Sequence, residues 1–186
     1  MALEKAAFFN TRSYMAEMFN DALYYLQEGR ASNDEFAQYR FYRSALINFC
    51  SSAEAAMAKI VHNHLRQNEG SLKNNSDRGL LNSFNNADIL PPEGFKTIGD
   101  KIKTVERLFK QKFTKDSKKA YINLTRLRNK IIHYDSSYAS IVYENGTVEK
   151  MANDAPEIVD AFITELFKLY GYNSVDGFQS KRTPSY

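Results

Sequence analysis

Arg128, Asn129 and His133 are spaced so that one helix would carry a phosphate ligand and a proton-transfer group. A guanidinium offers planar, bidentate donors that suit the oxygens of a phosphoryl group. An imidazole with an ordinary pKa of ~6.5 can give or take a proton near neutral pH. Asn129, four residues before His133, can hydrogen-bond the ring and fix its tautomer. The chemistry such a set could serve is proton transfer beside a bound phosphoryl group. His133 would act as general base or acid and Arg128 would stabilise the charge developing on the phosphoryl oxygens. No metal or other cofactor is needed for that scheme.

The surroundings are basic. From Lys96 to Lys130 twelve Lys or Arg face three acids, Asp100, Glu106 and Asp116, a local balance of +9 within a chain of formal net charge +3. Such a block marks either a polyanion-binding face or a pair of solvated helix faces. Placed directly before Arg128 and His133, it favours nucleic acid, with Lys118, Lys119, Arg126 and Lys130 as RNA-binding candidates. On an ideal helix, at about 100° per residue, Arg128 falls on the apolar stripe of Leu124, Leu127 and Ile131. Asn129, His133 and Arg126 lie on the opposite face. A guanidinium among leucines needs a partner, and Glu54 occupies an inward stripe with Leu46, Cys50, Met57 and Val61. Glu54 and Arg128 are therefore expected to pair, either to fix helix register or to orient Arg128 beside a cleft.

The segment Leu127-Arg128-Asn129-Lys130-Ile131-Ile132-His133-Tyr134 resembles the Arg-x4-6-His signature of the HEPN superfamily, all-helical domains many of which are metal-independent ribonucleases. Arg126 also satisfies the loose spacing. Arg128 is preferred because the family pattern usually places Asn directly after its arginine. The resemblance implies cleavage that leaves a 2′,3′-cyclic phosphate, and a homodimer in which the motif helices of two protomers meet and complete one site. It also implies a toxin, abortive-infection or other defence setting, where a neutralising or activating protein is a possible partner. Some relatives are catalytically silent and bind nucleotide, RNA or protein, and that alternative stays open. So does a helical dimer in which the motif is accidental.

The elements that must position these residues are legible as periodicities. Lys5–Gln27 reads as a first helix stopped by Gly29, and Asp34–Gln67 as a long second one opened by Ser32, Asn33 and Asp34. An Ala-rich run from Ala53 to Ala58 suggests close helix–helix approach. Asn68–Gly99 is Asn-, Gly- and Pro-rich loop with a short helix near Arg78–Phe84. Helix patterns return at Gly99–Lys112 and from Asp116, a plausible N-cap, to about Tyr134. Ser140–Lys150 reads as a β-hairpin about Asn145-Gly146. Asp154 and Pro156 then open a last helix ending near Tyr170. The expected fold is all-α: a helical bundle of four long helices with a small β-hairpin before the C-terminal helix. Residues 1–172 form one domain and 173–186 a flexible tail.

Other chemistries find little support. With 43% hydrophobic and 13% aromatic residues in 186, the chain can bury a real core. His62 and His64 stand two apart on a helix and point in different directions, so no metal site is expected. Cys50 is the single cysteine and lies on a core stripe, which argues against a thiol nucleophile and for a reducing, cytoplasmic setting. No signal peptide and no apolar run near the ~18 residues of a membrane span is visible. Nucleotide-binding Gly-rich loops and the G-x-S-x-G elbow are absent.

Overall fold

The computed structural model describes residues 14–133 and 144–172, and among these all regular structure is helical. The elements are α1 (Tyr14–Ala31), α2 (Glu35–Gln67), α3 (Asn75–Asn85), α4 (Ile98–Phe109), α5 (Lys115–Ile132) and α6 (Asn145–Leu169). Single 3-10 turns at Glu69–Ser71 and Glu93–Phe95 flank α3.

The 33-residue α2 is the axis of the molecule, in contact with every other helix. Asp34 opens it as expected, its carboxylate accepting from the N–H groups of Phe36 and Ala37 at 2.9 and 3.4 Å. Its middle is buried over about half of its circumference: Phe49, Cys50, Ser52, Ala53, Ala56, Met57, Ile60 and Val61 are all at 2% exposure or less. That apolar half lies in the core, while the face of Ser51, Glu54, Ala55, Ala58 and Lys59 is left partly open.

α1 runs antiparallel to α2. Ser52 donates to the Met15 carbonyl at 2.7 Å, Phe19 meets Phe49 edge-on, Tyr25 stacks on Phe41 and Gly29 abuts Tyr42. Gly29 does not stop α1, which continues to Ala31. It is the point of closest approach, since a Cβ there would come within 2.7 Å of the Tyr42 ring. Lys5 to Ser13, the expected start of this helix, lie outside the described residues.

The largest correction concerns the expected hairpin. Asn145 to Lys150 are the first residues of α6, with Glu144 as N-cap, and Ser140–Tyr143 lie outside the described residues. Val148, Ala152, Ala155, Val159, Phe162, Leu166 and Leu169 are all buried, at spacings that alternate four and three. That is a helical stripe, and it overrides both the Asn-Gly turn signal and Pro156. Pro156 therefore sits inside α6 instead of opening it, where it removes the N–H that would reach the Ala152 carbonyl.

α6 packs on α2 and α5 through stacked rings: Tyr121 on Phe162 at 4.0 Å and Phe113 on Phe162 at 4.6 Å. α5 starts two residues earlier than Asp116 suggested. Its N-cap, Thr114, is held from α6, where Glu165 accepts from the Thr114 N–H at 2.6 Å and from its hydroxyl at 3.2 Å. α5 ends at Ile132, and Tyr134 and the expected tail lie outside the described residues. No helix among the described residues is long and apolar enough to cross a membrane.

Candidate functional site

Glu54 on α2 is the hinge of the site. Its Oε1 accepts from Arg128 Nη2 of α5, as the apolar stripes predicted, and its Oε2 accepts from Lys101 Nζ of α4. All three side chains are largely enclosed, at 14–21% exposure. Burial alone would raise the Glu54 carboxyl. Hydrogen bonds and positive charge from Lys101 and Arg128 outweigh it and hold the carboxyl below its ordinary value. Burial likewise works against the Arg128 cation, and the neighbouring Glu54 carboxylate more than restores it. Lys101 also lies 5.9 Å from the centroid of the Phe95 ring.

The cluster borders an open pocket of about 550 Å³, lined by Arg128, Lys101, Glu54 and Lys59 together with Tyr14, Met15, Ser51, Ala55 and Ala58. Small side chains at 51, 55 and 58, successive positions on one face of α2, leave the space that longer ones would fill. The Ala-rich run thus serves two purposes. Ala53 and Ala56 are fully buried, whereas Ala55 and Ala58 form a pocket wall. Lys59 and Tyr14 are exposed. Arg128 Nε is buried and without a hydrogen-bond partner among the described residues, and Nη2 carries the bond to Glu54.

The remaining predicted residues separate into distinct environments. His133 caps the end of α5, is exposed, and donates its backbone N–H to the Asn129 carbonyl at 2.8 Å. Asn129 is exposed too, and the bond between the two runs through the backbone rather than through the side chains expected to fix a tautomer. His133 is not among the residues lining the Arg128 pocket. Lys119 and Lys130 are exposed, and Arg126 reaches Asn123 at 3.5 Å on the solvent face. Lys118 is committed elsewhere, its ammonium bridging both Glu106 oxygens at 2.9 and 3.0 Å to tie α5 to α4.

Lys101 escaped the sequence reading although its signal was present. It lies three residues after Ile98 and four before Val105, on the stripe that buries Ile102. A cation on an apolar stripe is the same signal that singled out Arg128.

The other histidines and the cysteine serve packing. His62 bonds Asn85 at 3.1 Å and lies against Phe84, while His64 packs edge-on to Phe109. Burial holds the His64 imidazole below its ordinary value despite the opposing charge of Asp77. Burial also pushes the Cys50 thiol up to about 12, which keeps it protonated and unreactive. Comparison of the chain with protein-family models, with curated proteins and with solved structures found no match.

Proposed function

We propose that this chain is a metal-independent endoribonuclease of the HEPN type, built on the four long helices α1, α2, α5 and α6 as a bundle. One observation carries the reading. Arg128 is held by Glu54 at the wall of an open, cation-rich pocket, five residues before an exposed His133 at the helix end. The pocket supplies the phosphate-binding half of a 2′-hydroxyl transfer, with Arg128 and Lys101 beside the phosphoryl oxygens. His133 supplies the proton-transfer half.

Five residues on one helix place the two groups about 140° apart around its axis. A single chain therefore presents them to different directions. Two-fold association through the Asn129–His133 face would bring the two His133 side chains together and a second Arg–His set close, so a homodimer belongs to the proposal. The setting proposed is cytoplasmic, consistent with a lone, buried Cys50. The biological role would be in defence, with a neutralising or activating protein as a further partner.

A second reading, a catalytically silent module that binds RNA, nucleotide or protein, is favoured by one specific observation: His133 stands outside the Arg128 pocket of its own chain. Incubating the purified protein with mixed RNA in EDTA separates the two. The endoribonuclease cleaves RNA and spares DNA, and His133→Ala lowers the rate by ~10²–10⁴-fold while RNA binding persists. Intact RNA with the wild-type protein, or equal cleavage by His133→Ala, makes the binding module the better account.

A further inference from the structure

We infer that the Glu54–Arg128–Lys101 pocket binds a phosphomonoester, the terminal phosphate of an RNA strand or of a mononucleotide, in preference to an internal phosphodiester. The inference rests on the reading of this pocket as the phosphate-binding half of the site: the charge of about −2 that it matches is the one that develops when a 2′-hydroxyl oxygen attacks a phosphodiester, and a phosphomonoester carries that charge in its ground state.

The argument is one of charge and donor stoichiometry. Three cations, Arg128, Lys101 and Lys59, line a space that contains one carboxylate, Glu54, leaving a net charge of +2. Glu54 has committed each of its oxygens, one to Arg128 and one to Lys101. It orients both cations without neutralising the pair. Lys101 carries three N–H donors, and its bond to Glu54 uses one. A phosphodiester brings a single negative charge, whereas a phosphomonoester carries about −1.5 to −2 at pH 7 and three acceptor oxygens. The second matches the surplus charge and the remaining Lys101 donors; the first leaves one cation of the open pocket unmatched. The uncharged wall of Ser51, Ala55 and Ala58, with Met15 opposite and the exposed Tyr14 ring, offers room and apolar surface for the attached ribose and base.

The test is a binding measurement on the full chain carrying His133→Ala, in EDTA, so that RNA survives the titration. The probes are one short oligoribonucleotide with a 5′-phosphate and again with a 5′-hydroxyl, and AMP beside adenosine. The phosphorylated member of at least one pair is expected to bind about tenfold tighter or better, the worth of one charged hydrogen-bond set. Which pair shows it distinguishes a strand end from a free nucleotide. Lys59→Met, a change at an exposed position that should leave folding intact, is expected to shrink the preference several-fold. Lys101→Met should abolish it and Lys101→Arg restore most of it. Equal binding of phosphorylated and unphosphorylated probes, or a preference untouched by Lys59→Met, overturns the inference. Cleavage is read separately with wild-type protein. An enzyme without phosphomonoester preference sinks only this inference; preference without cleavage sinks only the endoribonuclease reading.

Discussion

Asp77 and Glu54 each tie α4 to a neighbouring helix, and they are used in opposite ways. Asp77 of α3 gives both oxygens to one guanidinium, Arg107, at 2.5 and 3.1 Å. One acid and one base cancel, and the result is a clamp between α3 and α4. Glu54 gives its two oxygens to two different cations. The geometry is as tight, yet the cluster ends with surplus positive charge beside an open space. An ion pair at a helix junction is thus ambiguous until its stoichiometry is counted. A balanced pair holds structure, and an unbalanced one holds structure while still presenting charge to a ligand.

The sharpest way to break that contrast is to remove each acid. Glu54→Ala leaves Arg128 and Lys101 facing each other while largely enclosed, and should cost roughly 3 kcal/mol in urea unfolding, the low end for stripping one partner from a buried pair. Asp77→Ala should cost only about 1 kcal/mol, because the Arg107 side chain is 47% exposed and can turn to water. Equal losses in the two variants would mean that the pocket cluster is no more than a second clamp.

A smaller effect is expected with pH. The Glu54 carboxyl is depressed in the folded protein, where Lys101 and Arg128 outweigh the opposing effect of burial. The unfolded chain therefore binds this proton more readily than the folded one. The stability it contributes is fully present above its ordinary value of 4.5 and is lost as pH falls through the lowered folded value. Glu54→Gln should flatten that part of the acid limb in thermal melts between about pH 5 and pH 3. An acid limb identical to wild type would show that Glu54 is not held in its charged form by the cluster.

Much of this arrangement was legible in the sequence, and what was not has physical causes. The Glu54–Arg128 pair followed from two charged residues on apolar stripes, because helical period fixes direction and a buried charge needs its opposite. The N-cap of α2 followed from the Asp34 side chain. α6 was misread at its start because Asn145-Gly146 is a strong local turn signal, while the Val148–Ala152–Ala155 stripe that overrules it gains its force only from packing on α2 and α5. Gly29 illustrates the same limit. A glycine near a helix end suggests a stop, but here the reason for it is Tyr42, thirteen residues further on. The N-cap of α5 was misplaced because its carboxylate, Glu165, comes from a different helix. Thr114 and Asp116 are both residues that cap helices, and the contact with Glu165 that holds Thr114 in place has no local signal.

That cap, set beside the other attachments of α5, has a mechanical consequence. The helix is clamped at its root by Glu165, along its shaft by Lys118 with Glu106 and Tyr121 with the Cys50 carbonyl at 3.3 Å, and again at Arg128. Beyond Arg128 the exposed residues Asn129, Lys130, Ile132 and His133 project past the last of these clamps. α5 is built as a cantilever. Its clamped portion fixes the guanidinium to the frame, while past it Ile131 still packs against the core and the imidazole stands in solvent. Amide hydrogen exchange should register that gradient directly, slow around Tyr121 and Leu124 and quickening over the final turn.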